Sequence, residues 1–250
     1  MFEMSNQILA PVIRRRSKAG SQPVAEDQTR AKLLASAGEV FARMGYHSAT
    51  IREICTRAGA NVAAINYHFG GKLGLYTEVF RLSIGGPKSQ AVLRMFDQGG
   101  PPGEVFRRVI KAMMHRMCGV DRHELNLRFR LMAHELVHPT PARSRVIDEA
   151  IRPIYLKLLD LIGSILKLPS NDEKTRLCTH SVVGQIAHYA HARPILARLW
   201  PEQKMTPEQM EQIADHIADF SLAYFESFSQ RHSKTGQRHP RRRTSGGYLD

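Results

Sequence analysis

The stretch Thr50-Ile51-Arg52-Glu53-Ile54-Cys55-Thr56-Arg57-Ala58-Gly59-Ala60-Asn61-Val62-Ala63-Ala64-Ile65-Asn66 holds two helix starts and one helix stop. Thr50 and Glu53 have capping-box spacing, in which the hydroxyl accepts an early backbone N–H and the Glu side chain reaches back. Ile51, Ile54 and Ala58 then give a helix one buried face. After Gly59 the chain restarts at Asn61, a good N-cap, with a short helix that offers Val62, Ile65 and Phe69 to a core. Two short helices joined by a glycine-containing turn form a helix-turn-helix candidate.

Outward from this pair the helical spacing continues. Upstream, a helix is expected from about Gln28 to Met44, with Leu33, Ala37, Val40, Phe41 and Met44 on one face and Gly45 as its stop. Downstream, a helix follows Lys72 with Leu75, Tyr76, Val79, Phe80 and Ile84 apolar, until Gly85-Gly86-Pro87 weakens or breaks it. The run Gln98-Gly99-Gly100-Pro101-Pro102-Gly103 punctuates the chain a second time. Beyond it, amphipathic helices are expected at about 103–119, 121–138, 142–168, 172–193 and 206–229. The last opens on Thr206-Pro207-Glu208-Gln209 and is expected to bury Met210, Ile213, Ile217, Phe220, Tyr224 and Phe228. Strand alternation is almost absent, and helices of this length need a bundle to bury their stripes.

The 250 residues, 42% of them apolar, suffice for a core in one or two domains. The net charge of +13 points to a polyanionic partner. Residues 1–24 hold +3 of it and residues 231–250 hold +5, and both segments lack a core-forming pattern, so they read as disordered basic tails. Cys55, Cys118 and Cys178 are odd in number and far apart, which argues against a disulfide framework or a cysteine zinc site. No segment has the length and apolarity to span a bilayer and no signal-like apolar region follows the N-terminal arginines, so a soluble cytoplasmic protein is expected.

The segment 26–75 resembles the DNA-binding domain of the TetR family of transcriptional regulators. The resemblance is carried by Ala37-Gly38-Glu39-Val40-Phe41-Ala42-Arg43-Met44-Gly45-Tyr46, Ala49-Thr50-Ile51-Arg52-Glu53-Ile54, Ala58-Gly59-Ala60 and Ile65-Asn66-Tyr67-His68-Phe69-Gly70-Gly71-Lys72. Glu135 with Pro139-Thr140-Pro141-Ala142, Ile151-Arg152-Pro153, Gly184-Gln185 and Ala192-Arg193-Pro194 look like a CecR-type C-terminal domain. The resemblance implies an all-α fold, with an N-terminal three-helix DNA-binding domain at 25–72 and a helical effector-binding and dimerisation domain at 73–230, between tails at 1–24 and 231–250. It further implies a homodimer that binds double-stranded operator DNA and an unidentified small-molecule effector, with no membrane, metal or cofactor. The helix Asn61–Asn66 would enter the major groove, where Ala63 and Ala64 permit close approach and methyl contact with thymine. Asn61 and Asn66 would bond a base or a phosphate; Thr50, Arg52, Tyr67, His68 and Lys72 stand where family members grip the backbone. Asn66 replaces a frequent aromatic residue, and Gly74 stands where helix formers are usual and is expected to soften its helix by about 1 kcal/mol relative to Ala. The basic segment 14–18 is either a DNA-contacting arm or a solubilising tail, while the run from Arg231 to Arg243 is expected to lie far from the operator.

His134-Glu135-Leu136-Val137-His138 has the spacing of a zinc-hydrolase signature, but Pro139 follows at once and no third ligand is evident, so a structural or pocket role is favoured over catalysis. His180, His188 and His191 share one helix with Cys178 and read as interface or pocket residues before metal ligands. Met113, Met114, Met117 and Met132 fit either ordinary core or an adaptable pocket. The residues expected to line an effector pocket are Met114, Met117, Met132, His134, Tyr155, Gln185 and His188. No phosphate loop, dinucleotide fingerprint or nucleophile elbow is present, which leaves an enzyme without a motif. Two readings compete with an effector-released repressor: a constitutive, weakly specific DNA-binding protein, and a hydrolase built on His134, Glu135 and His138.

Overall fold

A computed structural model describes residues 21–84, 86–119 and 122–236. All regular elements among these residues are helices: α1 (Ser21–Ser48), α2 (Ile51–Ala58), α3 (Val62–Phe69), α4 (Lys72–Ile84), α5 (Gly86–Asp97), α6 (Pro102–Cys118), α7 (Arg122–Val137), α8 (Pro141–Val146), α9 (Arg152–Leu166), α10 (Glu173–His191), α11 (Arg193–Leu199) and α12 (Pro207–Gly236). Helix therefore covers 21–24 and 231–236, which the sequence placed in the tails; the basic segment 14–18 and the run from 237 onward lie outside the described residues.

The side chains sort into two apolar cores. In the first, Leu33, Ala37, Val40 and Phe41 of α1 meet Ile54 and Ala58 of α2, Ile65 of α3, and Leu75, Tyr76, Val79 and Phe80 of α4. Leu131 of α7 and Ala142 and Val146 of α8 complete it. In the second, Phe106, Ile110 and Met114 of α6 pack with Leu158 and Ile162 of α9, Val182 and Ile186 of α10, and Ile213, Ile217 and Phe225 of α12. Edge-to-face packing of Phe106 on Phe225, centroids 5.6 Å apart, ties α6 to α12.

Gly45 interrupts α1, as its position after the apolar stripe predicted: at φ 75° and ψ 173° its backbone leaves the helix. A Cβ there would sit 2.9 Å from Nδ1 of His134, so the glycine also admits α7 against α1. The expected helix at 142–168 is three pieces: α8, a π-helical turn at Ile147–Ile151, and α9. In that turn the Arg152 N–H donates to the Ile147 carbonyl five residues back, just ahead of Pro153, which has no N–H to give. The sequence did not predict α5, whose start lies in the Gly-Pro punctuation, or α11, which has no buried residue to supply a periodic stripe.

Two burial expectations are corrected. Val62 is 41% exposed, because α3 sinks Ile65 into the core, with Ala64 and Phe69 packed at its edge, and turns Val62 outward. Phe220 and Tyr224 are 64% and 40% exposed: α12 buries the face of Met210, Ile213, Ala214, Ile217, Ala218, Ser221, Leu222 and Phe225, and the other two aromatics fall on a second apolar face.

Candidate nucleic-acid interface

The interface is assembled from helix ends. Thr50, extended at φ −115° and ψ 144°, caps α2 by accepting the Glu53 N–H at 3.2 Å. The reciprocal half of the expected capping box is replaced: the Glu53 carboxylate pairs with Arg43 of α1, which fastens α2 to the preceding helix. Gly59, left-handed at φ 61°, ends α2 and lets the chain reverse toward Asn61. Asn61 caps α3 by accepting the Ala63 N–H on Oδ1 at 3.1 Å, which leaves its amide NH₂ available to a ligand.

With Ile65 fully buried beneath it, α3 turns Asn61, Val62, Ala63, Asn66 and Tyr67 to the surface. Tyr67 is 74% exposed, an unusual position for an aromatic side chain, and its ring stands edge-on to His68 at 4.9 Å. Ala64 and His68, half-buried, border with Ala63 and Tyr67 a shallow groove closed by Glu26 and Thr29 of α1. Small side chains on the outer face allow the helix backbone to approach base edges; a bulky residue at position 63 would hold it off.

The flanking cations differ in how they are held. Arg30, Arg43 and Arg57 are committed to Glu78, Glu53 and Glu39. Arg52 is exposed and makes none of the ion pairs found among the described residues, so its charge faces outward beside Thr50. Lys72 is half-buried, with its ammonium 4.6 Å from the Tyr46 ring centroid and donating to the His47 carbonyl at 3.3 Å; burial lowers its pKa. The Tyr46–His47 platform under Lys72 carried no signal in the sequence, because it is made by one aromatic face and one backbone carbonyl.

Gly74 corrects an expectation. A Cβ on it would lie 1.8 Å from the carbonyl oxygen of Phe69, so the first turn of α4 packs directly on the end of α3 and no larger residue fits. The glycine sets the angle between recognition helix and α4 instead of softening α4.

Above the interface, Glu135 of α7 is 1% exposed and accepts three hydrogen bonds: from the Tyr76 hydroxyl at 2.7 Å, the Thr140 hydroxyl at 2.6 Å and the Thr140 N–H at 3.0 Å. Burial, together with the carboxylate at its hydroxyl, pushes the Tyr76 pKa far up, so the phenol stays a donor. His134 lies in hydrogen-bond range of the Ala42 carbonyl, 3.2 Å from its Nε2, and His138 is exposed. The hydrolase arrangement is therefore not formed: its Glu is saturated inside the protein, and among the described residues no group of three or more His, Cys, Asp or Glu gathers to hold a metal. The residues expected to line an effector pocket fall on both cores. Met114 and Met117 pack in the second core, Met132 packs on the first with His134 near it, and Tyr155, Gln185 and His188 lie on α9 and α10, Tyr155 3.4 Å from Nε2 of exposed His180.

A short recognition helix seated on one buried anchor, beside an outward-facing arginine and under a helical body, defines a DNA-binding transcriptional regulator. The chain belongs to the TetR family: residues 33–79 match the model of tetR-family bacterial regulatory proteins, and residues 102–224 that of the C-terminal domain of the HTH-type transcriptional dual regulator CecR. It is 31% identical to the Shigella flexneri CecR dual regulator over 173 residues, 64% of this chain and 74% of that protein. A solved structure assigned as a transcriptional regulator of Pseudomonas aeruginosa PAO1 shares the fold at TM-score 0.61 and 21% identity, covering 81% of this chain and 94% of that one. The FadR regulator of Bacillus subtilis, solved with stearoyl-CoA, shares it at TM-score 0.53 and 17% identity over 76% and 96%. Proteins of this family are regulators and not enzymes. No helix among the described residues is long and apolar enough to cross a membrane.

Proposed function

We propose that the chain is a cytoplasmic, homodimeric regulator that represses by occupying a two-fold symmetric operator and leaves it when a small molecule binds its helical body. The observation that carries this reading is the outer face of α3, where Ala63, Asn66 and Tyr67 stand exposed over the single buried anchor Ile65. In this reading Ala63, Ala64 and the amides of Asn61 and Asn66 face base edges, while Thr50, Arg52, Tyr67, His68 and Lys72 hold phosphates and fix register. The second apolar face of α12, Phe220 and Tyr224, with Leu177 of α10, 53% exposed, supports pairing of two copies through these helices.

Release follows from population shift: an effector that prefers the conformation with wrongly spaced recognition helices lowers operator affinity, and the coupling is reciprocal. Half-sites for the productive spacing lie about 34–36 Å apart along the duplex. The Tyr76–Glu135–Thr140 bonds support a route from α7 and α8 into α4, which Gly74 holds against α3. Selection of bound DNA from a random pool at physiological salt tests the reading: a symmetric enriched site supports it, and no enrichment overturns the sequence-reading dimer in favour of binding driven by net charge.

A further inference from the structure

Three arginines converge where α6 ends. Arg116 donates from Nε to the Ser89 hydroxyl at 3.1 Å and from Nη2 to the Ile84 carbonyl. Arg128 of α7 donates to the Arg116 carbonyl at 3.1 Å and to Glu124 at 3.2 Å, and Arg193, first residue of α11, donates to the Cys118 carbonyl. The Arg128 side chain is only 13% exposed. Each guanidinium thus meets a helix-terminal carbonyl, which satisfies some N–H groups but neutralises little charge. Glu124 is the carboxylate paired within this group among the described residues. Among the described residues the Nε atoms of Arg128 and Arg193 are enclosed and meet no partner; Arg108, whose Nε is also enclosed there, belongs to the α5–α6 turn, where that side chain donates to Gly99.

Gathering buried like charges is costly unless an opposite charge joins them. Burial and the neighbouring Arg128 pull the Arg116 pKa down to about 10, and burial also lowers that of Arg128. His191, at the end of α10, has its pKa lowered by burial and then by Arg128, so it adds no proton to the cluster near neutrality. Planar guanidinium groups match carboxylate and phosphate oxygens, often in pairs of bonds. We propose that Arg116, Arg128 and Arg193 form an anion site that receives the carboxylate or phosphate group of a small-molecule effector. The assignment rests on the reading of the helical body as an effector domain and gives that effector a chemistry. In the sequence Arg193 stood out only as part of the Ala192-Arg193-Pro194 resemblance and Arg116 and Arg128 not at all, because α6, α7 and α11 bring the three together from separate parts of the chain.

The test is calorimetric titration of the full chain at constant ionic strength with inorganic phosphate and, separately, with decanoate. Saturable binding of either supports the site, and which one binds names the source of the oxyanion. Arg193→Gln retains an N–H for the Cys118 carbonyl but removes the charge, and affinity is expected to fall about tenfold or more. Should that variant fold poorly, the wild-type arginine Nε–Hε NMR signals report instead: those of Arg128 and Arg193 are expected to move with added anion. No saturable binding of either probe, or equal binding by Arg193→Gln, would overturn the proposal. DNA selection is independent of these titrations, so anion binding without an enriched operator sinks the proposed operator-reading dimer alone, and the reverse sinks the anion site alone.

Discussion

Asn61 and Asn66 look equivalent in the sequence, two amides bounding one short helix, yet they are held differently. Asn61 spends its carbonyl on the Ala63 N–H, whereas Asn66 is exposed on the outward face. Asn61→Ala is therefore expected to cost about 1 kcal/mol of stability in addition to changing the preferred operator. Asn66→Ala is expected to stay within about 0.5 kcal/mol of wild-type stability and to change the preferred operator. Thermal unfolding with binding to selected and scrambled duplexes separates the two, and matching profiles would refute the distinction. Gly74 shows the limit of propensity: replacing a mid-helix glycine with alanine normally gains about 1 kcal/mol. Here Gly74→Ala is expected to lower the melting temperature, because the methyl would enter the Phe69 carbonyl. Glu78 adds a pH term. Its hydrogen bond from Arg81, with that from Arg30, outweighs burial and lowers its pKa, so its contribution to stability is present above the unfolded carboxylate range and lost as pH falls through the depressed folded value. A denaturation series from neutral to acidic pH is expected to show a shallower decline in Glu78→Gln than in wild type.

At the scale of helices, α2 and α3 were legible because their boundaries are local chemistry: Thr50 and Asn61 cap, and Gly59 stops. The 142–168 helix was legible in extent but not in continuity, since Pro153 reads the same whether it kinks a helix or follows a π-helical turn. Which side of α12 is inward was half-legible. Met210, Ile213 and Ile217 fit one stripe, but Phe220 and Tyr224 belong to a second, and periodicity alone cannot say that a helix has two apolar faces. If the second face joins two copies, Phe220→Lys is expected to yield a folded monomer with weak operator binding. Sedimentation and circular dichroism would show it, and an unchanged dimer would exclude Phe220 from the contact.

Across the whole molecule, the DNA-reading helices do not own their core. Leu131, Ala142 and Val146 arrive from α7 and α8, and Tyr76 sends its hydroxyl to Glu135 outside the first four helices. A chain ending at residue 84 is expected to lose the cooperative unfolding of the full protein, observable by circular dichroism. The sequence showed a DNA-binding segment and a helical body but not this interpenetration, because contacts between positions 76 and 135 leave no local trace. The arginine cluster was hidden for the same reason.

The π-helical turn at Ile147–Ile151 sits where the two cores hand over: Val146 before it is buried in the first, and Ile154, Leu158 and Ile162 after it in the second. One residue more or less rotates everything downstream by about 100° around a helix axis. The turn is thus a phase shifter, setting the angular offset at which one helical rod can satisfy two differently oriented apolar surfaces. Deleting a single residue there would leave composition and helix content almost unchanged while turning the buried stripe of α9 into solvent.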